Sequence, residues 1–128
     1  MEKSHFEQAK LWLVAAKYIA NLHQDSSDKY SVATAMLVRT ILKANDALTA
    51  KFLQKTARKH DEAIKFFDEI IKEKHIEAEY AHYNQTIQEA ISNKSKAEYK
   101  VSFFSKNSYT DLERKAEKFL EMAEKHIK

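Results

Sequence analysis

The sequence predicts an all-α protein, an up-and-down bundle of four or five helices. Two observations carry this. The 128 residues contain neither glycine nor proline, where average usage supplies roughly nine and six. The favoured tight hairpin turns need φ > 0 and so draw on glycine. Apolar residues also recur at three- and four-residue spacing along most of the chain, the signature of helices with one buried face. The same lack of glycine excludes a P-loop or a Rossmann turn.

The first helix is expected over residues 2–23. Phe6, Ala9, Leu13, Ala16 and Ala20 form one stripe, widened by Trp12, Ala15, Ile19 and Leu22. Residues 24–29 read as a loop, with Ser26, Ser27 and Asp28 as capping candidates. The second helix, 30–53, is the most apolar, with Ala33, Met36, Leu37, Ile41, Ala44, Ala47 and Leu48 on a broad face. Apolar on more than one side, it suits a dimer interface. Arg39 and Asp46 fall on the same side of this helix and are expected as a structural ion pair or a solvent-facing pair. Residues 55–60 read as a linker and 61–74 as the third helix, with Ala63, Ile64, Phe67, Ile70 and Ile71 inward. The fourth is expected from about 76 to 94, with Tyr80, Tyr83, Ile87, Ala90 and Ile91. Ala97, Tyr99, Val101 and Phe103 then alternate, so 95–109 reads as a long loop packed on the bundle. Thr110 and Glu113 match a capping box, placing the last helix from there to about 126. Its core face is Leu112, Ala116, Phe119, Leu120 and Ala123. Nothing divides the chain, so one domain is expected over residues 1–128.

About 44% of the residues are apolar and 32% charged, ordinary globular proportions. No apolar run is long enough to span a membrane, and the N-terminal MEKSHFEQAK lacks the core of a signal peptide. A cytoplasmic protein without a membrane association is therefore expected. With no cysteine, disulfides, thiolate metal sites and thiol nucleophiles are excluded. The net charge is only +3, but its distribution is uneven. Lys51, Lys55, Arg58 and Lys59 occur without an acid among residues 51–60. Lys94, Lys96, Lys100 and Lys106 are accompanied only by Glu98. The two segments would form a phosphate-facing surface if the fold joined them.

Other candidate chemistry is sparse. Glu79 and His82 have the i, i+3 spacing of di-iron bundles, repeated only in Glu2 and His5, and the further core carboxylates such a centre needs are missing. No metal and no cofactor is expected. His60, just before the third helix, reads as a cap or loop residue. Packing is the expected use of Phe103 and Phe104, with stacking on bases as the alternative.

The segment Lys94-Ser95-Lys96-Ala97-Glu98-Tyr99 follows the fourth helix. Upstream, the stretch Tyr30–Leu48 ends in Asp46-Ala47-Leu48, then come a basic linker, His60 and an apolar helix. In this order of elements, from about residue 8 to 125, the chain resembles the HEPN domain family of prokaryotic toxin and defence systems. The resemblance implies a four- or five-helix bundle that forms a homodimer. It also implies a metal-independent ribonuclease motif of arginine, a polar neighbour and histidine, in a cleft between protomers. Lys94, Ser95 and Tyr99 stand at those catalytic positions, so both key residues depart from the motif. Lysine lacks the planar fork that grips phosphate, and tyrosine, with an ordinary pKa of about 10, is a poor base at pH 7. A HEPN-like module without efficient ribonuclease activity follows, binding RNA or a protein partner such as a nucleotidyltransferase-type antitoxin. Two alternatives stand beside it. One is an active ribonuclease with a shifted site, using Arg58 or His60 with Lys94 or Tyr99. The other is an oligomeric helical scaffold or adaptor.

Overall fold

The computed structural model describes residues 1–23, 28–99 and 104–128, and the backbone alone at 98 and 99. Among the described residues there are five α-helices: α1 (Glu2–Ala20), α2 (Asp28–Leu53), α3 (His60–Lys72), α4 (Asn84–Tyr99) and α5 (Lys106–Ile127). A 3-10 segment, Ala78–Tyr83, leads into α4. The protein is an all-α bundle, as its periodicity requires, and the described residues contain no strand. No helix among them is long and apolar enough to cross a membrane.

The bundle is built around α2, which packs against α1, α3, α4 and α5. This explains its all-round apolar surface. Ala33, Leu37, Val38, Ile41, Ala44, Ala47 and Leu48 are consumed inside the chain, so α2 is no free dimer face. Small alanines let its neighbours approach closely. Phe67 of α3 and Phe119 of α5 fill the remaining space with ring centroids 6.2 Å apart, and Tyr83 meets Phe119 edge-on at 5.9 Å. Burying such side chains supplies most of the favourable free energy. Among the described residues the exposed large apolar ones are Met1, Leu11, Val14, Tyr18 and Val32, and three of these form a stripe on the outer face of α1.

Several boundaries differ from the sequence expectation. The helix expected over 76–94 is split, because Ala78–Tyr83 winds as a 3-10 segment before α4 begins. Residues 95–99 continue α4, and α5 starts at Lys106 rather than Thr110, so both ends of the expected long loop are helical. Ser105 is the cap: its Oγ accepts from the Ser108 N–H at 3.0 Å. Thr110 lies within the helix, and its hydroxyl donates to the Lys106 carbonyl at 2.8 Å. Helices α2 and α3 both end without glycine. Gln54 (φ 56°) and Lys74 (φ 64°) take the left-handed conformation themselves. The Lys74 and His75 N–H groups then satisfy the Ile71 and Ile70 carbonyls. Ser26, Ser27, Lys100, Val101 and Phe103 lie outside the described residues. Phe104 is buried, as the packing expectation required.

Candidate functional site

Three elements converge where α2 passes the start of α3 and the C-terminal half of α4. The α2–α3 register is fixed by Asn45, which is fully buried and donates from Nδ2 to the Ala63 carbonyl at 3.2 Å. The entry to α3 is tightened by Glu62, whose Oε1 accepts the backbone N–H groups of Arg58 and Lys59 at 2.9 and 3.0 Å. His60 is thereby set at the first turn of α3, beside α2. On α4, Lys94 extends the inward stripe of Ile87, Ala90 and Ile91 at helical spacing. Its stem runs along the bundle while its ammonium reaches outward.

These placements put Lys94 Nζ 3.0 Å from His60 Nε2. A lysine ammonium has only donors, so the imidazole accepts at Nε2 and carries its proton on Nδ1. Around this pair the surface is concave. One hollow of about 190 Å³ is lined by Leu42, Asp46, Arg58, Lys59, His60 and Lys94, with Ala57 and Ala63 at its floor. A second, of about 350 Å³, is bounded by Trp12, Val38, Arg39 and Lys43, and shares Leu42, Asp46 and Lys94 with the first. The two form one cleft with an apolar floor and a basic rim.

Asp46 stands where the hollows join. Burial pushes its carboxyl up to about 6, and the nearby charge of Lys43 only partly opposes this. Among the described residues no donor forms a hydrogen bond or ion pair with this carboxylate. The expected pairing with Arg39 does not form. Positions seven apart on one side of a helix are separated by about 10.5 Å along its axis, and the Arg39 guanidinium lies over the Trp12 ring, 5.0 Å from its centroid.

The fold gathers part of each basic segment into this cleft: Arg58 and Lys59 from the first, Lys94 from the second. The rest are used elsewhere. Lys51 caps the end of α5, donating to the His126 and Ile127 carbonyls at 2.7 and 3.0 Å. Lys55 sits over the Phe66 ring and 3.5 Å from Glu69. Ser95 is exposed on α4, turned from Lys94 by one helical step. The side chain of Tyr99 lies outside the described residues. His82 turns its Nδ1 to the Glu79 carbonyl at 2.9 Å, inside the 3-10 segment rather than on an α-helical face. His60 is therefore brought to Lys94, while Asp46, which the sequence suggests forms a structural ion pair or a solvent-facing pair with Arg39, joins the cleft. The available signal for Asp46 was its place on an otherwise apolar helix.

Chemically, the cleft offers cations for phosphate oxygens, an imidazole, and one accessible carboxylate. No family model matches the chain, and no curated protein matches it.

Proposed function

We propose that this is a HEPN-like helical module that holds the phosphate backbone of RNA in the α2–α3–α4 cleft, with little or no ribonuclease activity. The observation that carries the reading is the meeting of Lys94 with His60 at 3.0 Å, in a hollow that Arg58 and Lys59 also line. Four groups able to donate to phosphate converge there from two elements. Neutralised phosphates release counterions, so such binding weakens steeply with salt. The toxin, antitoxin and defence context rests on the sequence resemblance alone.

The test is fluorescence anisotropy with a labelled single-stranded RNA at several salt concentrations. We expect affinity to fall with salt, and Lys94→Ala to weaken binding and reduce the logarithmic salt slope by about 1. Binding that ignores salt, or that Lys94→Ala leaves untouched, would refute the reading.

The contact of Lys94 with His60 also favours a second reading, a metal-independent ribonuclease with a shifted site. His60 would then move the proton and Lys94 would stabilise the phosphorane charge. Metal-free cleavage lost in His60→Ala would establish it. The homodimer and the nucleotidyltransferase-type partner remain proposals. Their support is the exposed stripe of Leu11, Val14 and Tyr18 on α1, an apolar surface suited to a protein neighbour. Sedimentation of the purified chain separates monomer from dimer.

A further inference from the structure

The cleft contains one feature that phosphate binding does not use. Asp46 is an acid at the centre of a basic, phosphate-suited surface, where it weakens the field that phosphate requires. It is accessible from both hollows and its carboxylate has no hydrogen-bond donor among the described residues. Beside it lie the apolar Val38, Leu42 and Trp12 together with the cations Arg39 and Lys43. The larger hollow, about 350 Å³, falls within the range of small-ligand sites. The hollow sets apolar side chains, Trp12, Val38 and Leu42, beside an accessible acceptor, Asp46, and the cations Arg39, Lys43 and Lys94, groups that match the base and the phosphate of a nucleotide. The base enters the slot and the phosphate meets the rim.

Hydrogen-bonding capacity narrows the choice of base. A carboxylate has two acceptor oxygens in one plane and takes two parallel N–H donors best. Guanine presents two adjacent donors on its Watson–Crick edge, N1–H and the N2 amino group. Adenine and cytosine each present one amino group beside an acceptor nitrogen. Uracil presents one N–H between two carbonyls. We propose that the cleft selects a guanine nucleotide, with the N1–H and N2–H of the base donating to Asp46 and its phosphate held by Lys94, Arg58 and Lys59. This rests on the reading of the cleft as a phosphate-backbone site and adds base selectivity to it. The same chemistry serves a guanosine in single-stranded RNA or a free guanosine monophosphate.

The chain has one tryptophan, Trp12, and it lines the slot, so its fluorescence reports occupancy. The experiment titrates the whole protein with an all-uridine heptamer, the same heptamer carrying one central guanosine, and one carrying inosine, which lacks the N2 amino group. GMP, AMP and UMP form a parallel set. A guanosine preference of about tenfold or more is expected, with inosine falling between guanosine and uridine. Preference in the heptamers alone identifies the polymer as the ligand, and preference in the mononucleotides alone identifies the free nucleotide; either supports the proposal. Asp46→Asn, which replaces one acceptor by a donor, should raise affinity for the all-uridine heptamer, lower it for the guanosine heptamer, and so abolish the difference between them. Equal, salt-sensitive binding of all three heptamers and all three mononucleotides overturns guanine selection and leaves the phosphate site standing. Absence of binding by every probe overturns both.

Discussion

Asp46→Asn should stabilise the protein, an uncommon result for a point substitution. The carboxyl is pushed up to about 6 by burial, from an ordinary value of 3.8. A folded-state pKa above the unfolded one means that the native chain holds its proton more tightly. Between about pH 4 and pH 6 the native protein therefore binds more protons than the unfolded chain, and stability falls as pH rises. Above pH 6 the full penalty is present, and below about 4 it vanishes. At 1.36 kcal/mol per pKa unit the gap corresponds to about 3 kcal/mol, which the partial exposure of the side chain trims to about 2. Asparagine has nearly the same shape and no charge to desolvate. At pH 7.5 the variant should gain about 2 kcal/mol, or roughly 5–10 °C in Tm. At pH 4 the difference should close. The attraction of the cations around the cleft, chiefly Lys43, is lost in the variant, and the net value of about 6 already includes it. Thermal and urea unfolding at both pH values provide the measurement. A variant less stable at pH 7.5, or a difference unchanged at pH 4, would refute the reasoning, because the carboxylate would then have a partner that keeps it ionised. A group that costs stability and is nonetheless present is what a binding site leads one to expect.

Three further predictions concern the fold. Ser105→Ala should cost about 1 kcal/mol by removing the α5 cap, whereas Thr110→Ala should change stability by less than about 0.5 kcal/mol; urea unfolding of the pair decides where the helix begins. Lys74→Gly should stabilise by about 1 kcal/mol, since glycine takes φ 64° without the clash of a Cβ, and an unchanged unfolding midpoint would argue against that conformation. Phe67→Ala should cost about 3–5 kcal/mol by opening a cavity against Phe119, and calorimetry should show this as a large drop in Tm.

Local pattern made much of the bundle legible. The stripes Phe6–Ala9–Ala16, Ala33–Leu37–Ile41–Ala44–Leu48 and Leu112–Ala116–Phe119–Ala123 are all buried, because helical periodicity depends only on neighbours in sequence. The α4–α5 region is locally ambiguous for the same reason. Residues 97–103 alternate, and both Ser105 and Thr110 have cap chemistry. The choice between the two caps depends on burying Phe104 and Tyr109, which is a tertiary matter. The absence of glycine excluded sheets and Gly-rich cradles. It did not exclude left-handed residues, because Gln54 and Lys74 take that conformation where α2 and α3 end.

By itself the sequence determined the helical class, the inward face of most helices and the presence of two basic segments. Which of those charges meet is set by how the helices pack. Their packing sent Lys51 to the end of α5, set Lys94 against His60 across 34 positions of sequence, and left Asp46 facing the cleft while Arg39 lies on Trp12. Periodicity fixes the side of a helix on which a charge lies. Its partner is chosen by contacts between elements, and those depend on how the whole core packs.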